Sequence, residues 1–294
     1  MDIDFPAFLE MTGNTNLLEL LREIDEIRPI PKSEAARLSH LVRIHMATGS
    51  IPSIVESWVR THDFDKTDRE IDQHLEALVN ESAAALSLKI EQCRSMWYRL
   101  PAQIARENTR FHNTKPKDEA NGYPLDILIL YLVQEGIIYR VRKIDKPRQP
   151  VESFIYQSQY KYYFLDSGLF RRLAKLPART VNQELPELSR FRGNLTEGYA
   201  LTALLKLSDH PIWYWKSGHR AEVDFVTILG NEIIPVEVKT ARNVKSHSLA
   251  CYRRQYGPKI ALRISMLNLK QDDELVNIPL YMIHEAQHLL SLTQ

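Results

Sequence analysis

From Asp4 to about Leu86 the apolar positions recur three and four residues apart, as one face of a helix requires: Phe5, Phe8, Leu9; Leu17, Leu18, Leu21; Leu38, Leu41, Val42; Ile54, Trp58; Leu75, Leu78, Val79. The pattern is broken at Thr12-Gly13-Asn14, at Arg28-Pro29-Ile30-Pro31 and from Gly49 to Pro52. Residues 1–88 therefore read as a helical segment of about five short helices, with no convergent chemistry.

The pattern changes over residues 89–166. Met96, Trp97 and Leu100 make one apolar helix face, residues 101–107 a second short helix, and residues 124–135 a third, with Leu125, Leu128, Ile129 and Leu132 inward. Gly136 is placed as a helix-terminating glycine. Residues 137–141 and 160–165 read as strands joined by a polar, proline-containing loop. Three helices followed by a hairpin is the winged-helix arrangement. Its hairpin is basic: Arg140, Arg142, Lys143, Lys146 and Arg148 stand against Asp145. Such a loop can seat on nucleic-acid phosphates, and a merely solvated hairpin has the same composition.

Residues 167–294 predict a short helix at 167–173 and a longer one at 188–207. Strands follow at 211–216, 222–229 and 232–240, then a helix at 246–256 and strands at 259–266 and 277–283. Gly230-Asn231 suits a two-residue hairpin turn. The chain is thus expected to be an α+β multidomain protein: a helical segment, a winged helix and a mixed α/β sheet.

With 44% hydrophobic and 26% charged residues, the 294-residue chain can bury a sizeable core. No apolar run reaches the roughly 20 residues that span a bilayer, and the N-terminus is acidic where a secretory leader is basic, so no membrane partner and a cytoplasmic address are expected. Cys93 and Cys251 stand far apart and suit neither a disulfide framework nor a thiolate metal site. The net charge of +1 leaves a polyanionic partner to local patches.

The chemistry concentrates in two neighbouring strands, Ala221-Glu-Val-Asp224-Phe and Ile234-Pro-Val-Glu237-Val-Lys239. The turn brings them together, and alternation points Glu237 and Lys239 the same way, with Val236 and Val238 toward the core. Asp224 and Glu237 can then hold Mg²⁺ or Mn²⁺, and the Lys239 ammonium can orient an attacking water. Glu197, in Leu195-Thr-Glu197-Gly, is the natural fourth member, as a further metal-binding acid. This is the pattern of the PD-(D/E)XK nucleases, a restriction-endonuclease-like fold.

A more specific resemblance rests on Ile104-Ala-Arg-Glu-Asn108, Gln134-Glu-Gly-Ile-Ile-Tyr139, Phe164-Leu-Asp-Ser-Gly-Leu169, Asn194-Leu-Thr-Glu-Gly198, Trp213-Tyr-Trp-Lys216, Ala221-Glu-Val-Asp-Phe225 and Val236-Glu-Val-Lys239. Together these resemble the uncharacterised C-terminal domain that follows the ATPase module in a family of bacterial and archaeal AAA-type ATPases. Asp4-Phe-Pro-Ala-Phe-Leu9 also looks like the region after that ATPase. The resemblance implies a winged helix followed by a PD-(D/E)XK nuclease-like domain, a nucleic-acid partner, DNA first, and an ATPase supplied in trans. The chain departs from the family in lacking any Gly-x-x-x-x-Gly-Lys-Ser/Thr phosphate loop, so no ATP binding or hydrolysis is expected. It also has Ala47-Thr-Gly-Ser-Ile-Pro52 where the family carries a Gly-Gly-Met-Pro-like turn.

His284-Glu285-Ala-Gln-His288 matches the zinc-protease pattern, but only Leu289 to Gln294 remain to supply a third ligand and none of them can. A solvated C-terminal helix, and no zinc, is the expectation. Asp166 reads as a helix N-cap or turn residue rather than an active-site acid, and Trp213 and Trp215 as core. The function expected is a Mg²⁺- or Mn²⁺-dependent nuclease. The alternatives are a DNA- or protein-binding module with a vestigial site, a remnant of the larger ATPase and, last, a zinc metalloprotease through His284, Glu285 and His288.

Overall fold

The computed structural model of the protein describes residues 2–105, 125–182, 189–218, 221–240 and 247–293. Among them are eleven α-helices and one mixed sheet of eight strands, so the chain is α+β as expected. The N-terminal segment forms five helices: α1 (Phe5–Met11), α2 (Thr15–Arg22), α3 (Lys32–Thr48), α4 (Pro52–Thr61) and α5 (Phe64–Ala85). Their starts follow local chemistry. Asp4 caps α1 by accepting the Ala7 N–H, Pro52 opens α4 where no N–H is needed, and Asp63 caps α5 through the N–H groups of Asp65 and Lys66.

Helix α6 (Ile90–Ala105) replaces the two helices expected on either side of Pro101, and the expected residues 106 and 107 lie outside the described residues. Proline denies the helix one donor, yet Met96, Trp97, Leu100 and Ile104 are all buried on one row through that point, and their burial outweighs the lost bond. Helix α7 (Leu125–Gln134) ends before Gly136, whose φ of +70° is the left-handed conformation of a terminating glycine.

The chain then forms β1 (Ile138–Ile144), β2 (Ile155–Phe164), α8 (Ser167–Leu173), α9 (Ser189–Leu205), β3 (Trp213–Ser217), β4 (Ala221–Leu229), β5 (Glu232–Lys239), α10 (His247–Tyr256), β6 (Ala261–Ser265), β7 (Lys270–Asp272), β8 (Leu275–Pro279) and α11 (Ala286–Ser291). The last strand expected from the sequence, 277–283, is shorter. β8 stops at Pro279, which has no N–H for the ladder, and Leu280–Glu285 turn into a 3-10 helix.

Two compact units of interleaved stretches result. The first comprises residues 1–3, 46–140 and 158–198, the second residues 4–45, 141–157 and 199–294. In the first unit α5 packs on α4, α6 and α8. In the second lies most of the sheet, whose full order is β2-β1-β3-β4-β5-β6-β8-β7. β3, β4 and β5 are antiparallel neighbours, whereas β5, β6 and β8 run parallel. The hairpin expected as a separate wing continues this sheet, because Arg142, Lys143 and Ile144 of β1 pair in parallel with Trp213, Tyr214 and Trp215. One sheet face is closed by α10, with Trp213, Trp215, Val223, Val226, Leu249 and Tyr252 at its centre.

Candidate functional site

The antiparallel β4–β5 ladder pairs Phe225 with Val236, so the same register carried one residue further sets Asp224 opposite Glu237. Asp224 is not an ordinary strand residue. Trp215 pairs with Val223 and Trp213 with Val226, so Asp224 and Phe225 share the place opposite Tyr214: a β-bulge. The extra residue releases Asp224 from strict alternation, and its Oδ2 accepts the Val238 N–H at 2.8 Å, between the two functional positions of β5.

Glu237 is 3% exposed. Its Oε1 is in contact with the ammonium of Lys239, whose side chain keeps 30% of its exposure. The other oxygen, Oε2, is buried without a hydrogen-bond partner among the described residues. A carboxylate oxygen in that state costs free energy, of order 1–3 kcal/mol or more for a charged group, unless something else neutralises it. The structure thus brings Asp224, Glu237 and Lys239 together. Glu197 belongs to the first unit, where its Oε2 accepts the Tyr163 hydroxyl at 2.8 Å.

Register extends this polar row beyond the residues the sequence reading singled out. Glu237 pairs with Arg263 of β6 and Arg263 with Asn277 of β8, while Lys239 pairs with Ser265. Arg263 Nε donates to Asn277 Oδ1 at 3.0 Å, and Ser265 Oγ donates to the same oxygen at 2.7 Å. Burial holds the Arg263 guanidinium below its ordinary value. The signal was present in Ala261-Leu-Arg-Ile-Ser265, where polar residues alternate with apolar ones at the period of a strand.

The hairpin bases are not equivalent. Lys143 is buried, with Nζ 4.3 Å from the centre of the Tyr156 ring, and desolvation lowers its amine below the ordinary lysine value. The Arg140 guanidinium lies 5.8 Å from the Tyr160 ring, and Arg142 is half-buried. Only Lys146 and Arg148 are exposed as a phosphate contact would need.

His284 is half-buried, and its buried Nδ1 has no hydrogen-bond partner among the described residues. His288, on the exposed side of α11, has its Nε2 2.7 Å from the Ile24 carbonyl oxygen. The Glu285 carboxyl is raised by burial. Asp166 is the N-cap of α8: its Oδ1 accepts from Leu169 N at 2.7 Å, and its Oδ2 from Ser50 N at 2.6 Å and Ser50 Oγ at 2.8 Å.

Residues 192–283 match the model of a domain of unknown function, DUF4143, which is typically the C-terminal domain of AAA-ATPase-associated proteins. Residues 39–180 match a second domain of unknown function, DUF8612. No curated protein matches the chain. The crystal structure of protein VC1899 from Vibrio cholerae is similar at 15% identity over 78% of this chain and 55% of that one, with a TM-score of 0.24, too loose to define a shared fold. The chain spans about half the length of that protein. No helix among the described residues is long and apolar enough to cross a membrane.

The divalent ion implied by the PD-(D/E)XK pattern meets a partial set of ligands. Among the described residues no group of three or more His, Cys, Asp or Glu could hold a metal ion. Mg²⁺, however, commonly takes one or two carboxylates and completes its shell with water and substrate phosphates. Glu237 Oε2, buried and unmatched, with Asp224 opposite, fits that requirement.

Proposed function

We propose that the β4–β5 hairpin carries a Mg²⁺- or Mn²⁺-dependent phosphodiester-cleaving site acting on nucleic acid, in a PD-(D/E)XK-like sheet of a chain that also carries a winged-helix arrangement. The observation that carries the reading is the buried Glu237 oxygen without a partner, placed next to the bulged Asp224 and the cation of Lys239. Glu237 and Asp224 hold the ion, with Asp224 aimed by the Val238 N–H. A divalent ion supplies charge for the phosphate oxygens and a more acidic bound water. Lys239, the more exposed partner, orients the attacking water from the solvent side. Glu197 keeps its sequence-based assignment as a further acid. Lys146 and Arg148 on the hairpin loop contact the phosphate backbone, and an ATPase supplied in trans is the expected companion.

The test is calorimetric titration of Mn²⁺ into the protein and into Asp224→Ala, followed by incubation of both with DNA and RNA. Saturable binding lost in the variant, with cleavage lost alongside it, supports the nuclease. Activity unchanged by Asp224→Ala and by Glu197→Gln would remove it. A second reading, a DNA- or protein-binding module with a vestigial site, is favoured by the contact that already neutralises Glu237 Oε1. No Mn²⁺ binding at millimolar metal, with no cleavage of any substrate, would select it.

A further inference from the structure

We propose that Lys239 is the resident counter-cation of Glu237, and that it sets the site's affinity for a divalent ion by competing for the same carboxylate. This rests on the ion-site reading above and adds how occupancy of that site is controlled. The two oxygens of Glu237 are in different states. Oε1 is held by the Lys239 ammonium, and Oε2 is buried with no partner among the described residues.

A carboxylate that is 3% exposed cannot be left ionised without a nearby positive charge, and the ammonium two residues along the same strand face provides it. An ion arriving at Oε2 meets that ammonium as a like charge across a single carboxylate. In surroundings of reduced dielectric such repulsion is worth far more than in water. The geometry gives the ammonium somewhere to go: its side chain retains 30% exposure against 4% for that of Glu237, so Lys239 can swing outward while Glu237 stays. Outward is also where an attacking water would stand. One side chain thereby has two positions, on Glu237 without the ion and on the water side with it.

Removing the charge at position 239 should therefore tighten ion binding, whereas a residue serving only the chemical step would leave ion binding unchanged. The experiment is Mn²⁺ titration by calorimetry and by thermal shift of the full chain, for the wild type, Lys239→Met, Lys239→Gln, Lys239→Arg and Glu237→Gln. Lys239→Gln stands in if Lys239→Met fails to fold.

The result expected is Mn²⁺ affinity about tenfold higher in the two neutral variants, near the wild-type value in Lys239→Arg, and none in Glu237→Gln. The metal-free melting temperature of the neutral variants should fall, and added Mn²⁺ should raise it by more than it raises the wild type's. A silent wild type beside a neutral variant that binds would be the strongest support, since the lysine then blocks the site outright. Equal or weaker binding in both neutral variants would overturn the proposal and leave the ion site standing. No binding by any variant at millimolar Mn²⁺ would overturn both.

Discussion

At the scale of single residues, the tightest constraint lies in the turn before α4. Gly49 has φ +77°, and a Cβ there would stand 2.5 Å from Asp166 Oδ1. Across the same contact, a Cβ on Gly168 would stand 2.8 Å from the Thr48 carbonyl oxygen. The Thr48–Ser50 turn and the start of α8 are thus locked by two glycines and one buried carboxylate. This explains why the chain keeps a glycine in Ala47-Thr-Gly-Ser-Ile-Pro52 and why Asp166 is occupied structurally rather than chemically. Gly49→Ala should destabilise the protein by about 2–4 kcal/mol, since backbone strain and a carboxylate displaced from its donors add. Urea denaturation checks this, and a midpoint unchanged from wild type would mean that the turn is looser than its geometry says.

At the scale of elements, the first unit shows why acids on a helix face need not form a site. Asp65, Asp68, Asp72 and Glu76 follow one another along α5 at helical spacing, and each meets an arginine: Arg179 at 2.5 Å, Arg171 at 2.7 Å, Arg172 at 2.8 Å and Arg94 at 2.8 Å. The rungs differ in burial, and burial decides their worth. Arg171 is fully buried and also donates to the carbonyls of Ala47 and Leu176. Arg171→Met should cost about 3–5 kcal/mol, because it takes the buried cation from Asp68, which keeps only the Ala178 N–H and a longer contact to Arg172, and leaves two carbonyl oxygens without their donor. Arg179→Ala, which breaks a pair more than half exposed on both sides, should cost less than about 1 kcal/mol and lose even that in high salt. Equal losses in the two variants would contradict this ordering.

What could be read at this scale was what short-range pattern controls. The five N-terminal helices, the Gly230-Asn231 turn, the glycine stop after α7 and the Asp166 cap follow from spacing and local chemistry, and so does the alternation that places Glu237 beside Lys239. Pro101 misled because one missing donor is small against a buried row running through it. β7, Lys270-Gln-Asp272, was invisible because an exposed edge strand carries no apolar alternation. The parallel pairing of β1 with β3 joins residues some 70 apart, beyond any local signal. The bulge at Asp224 is likewise a property of two strands rather than of one: Ala221-Glu-Val-Asp-Phe225 alone gives no sign that two residues will share one place.

At the scale of the whole molecule, the near-neutral balance of charge means that pH acts through particular groups rather than through net repulsion. His284 is the clearest of them. Burial lowers its imidazole from 6.5 to about 4; Asp4 opposes that shift and Lys206 adds to it, Lys206 being itself 3.0 Å from Asp4 Oδ2. The folded state therefore holds this ring neutral where the unfolded chain protonates it. Between these two values the unfolded state binds more protons, so stability rises with pH through the window and is lost as pH falls from 6.5 toward 4. The largest loss such a shift allows is about 3 kcal/mol, and partial exposure of the ring makes the realised loss smaller. Carboxylates titrate in the same range, so the contribution must be isolated by difference. Unfolding free energies at the two ends of the window, for the wild type and for His284→Leu, should show a steeper acid loss in the wild type by about 1–3 kcal/mol. Parallel pH profiles would mean that the ring finds a proton acceptor in the folded state. Asp4 is then the acid to test, through Asp4→Asn, because it is the one whose charge favours the imidazolium.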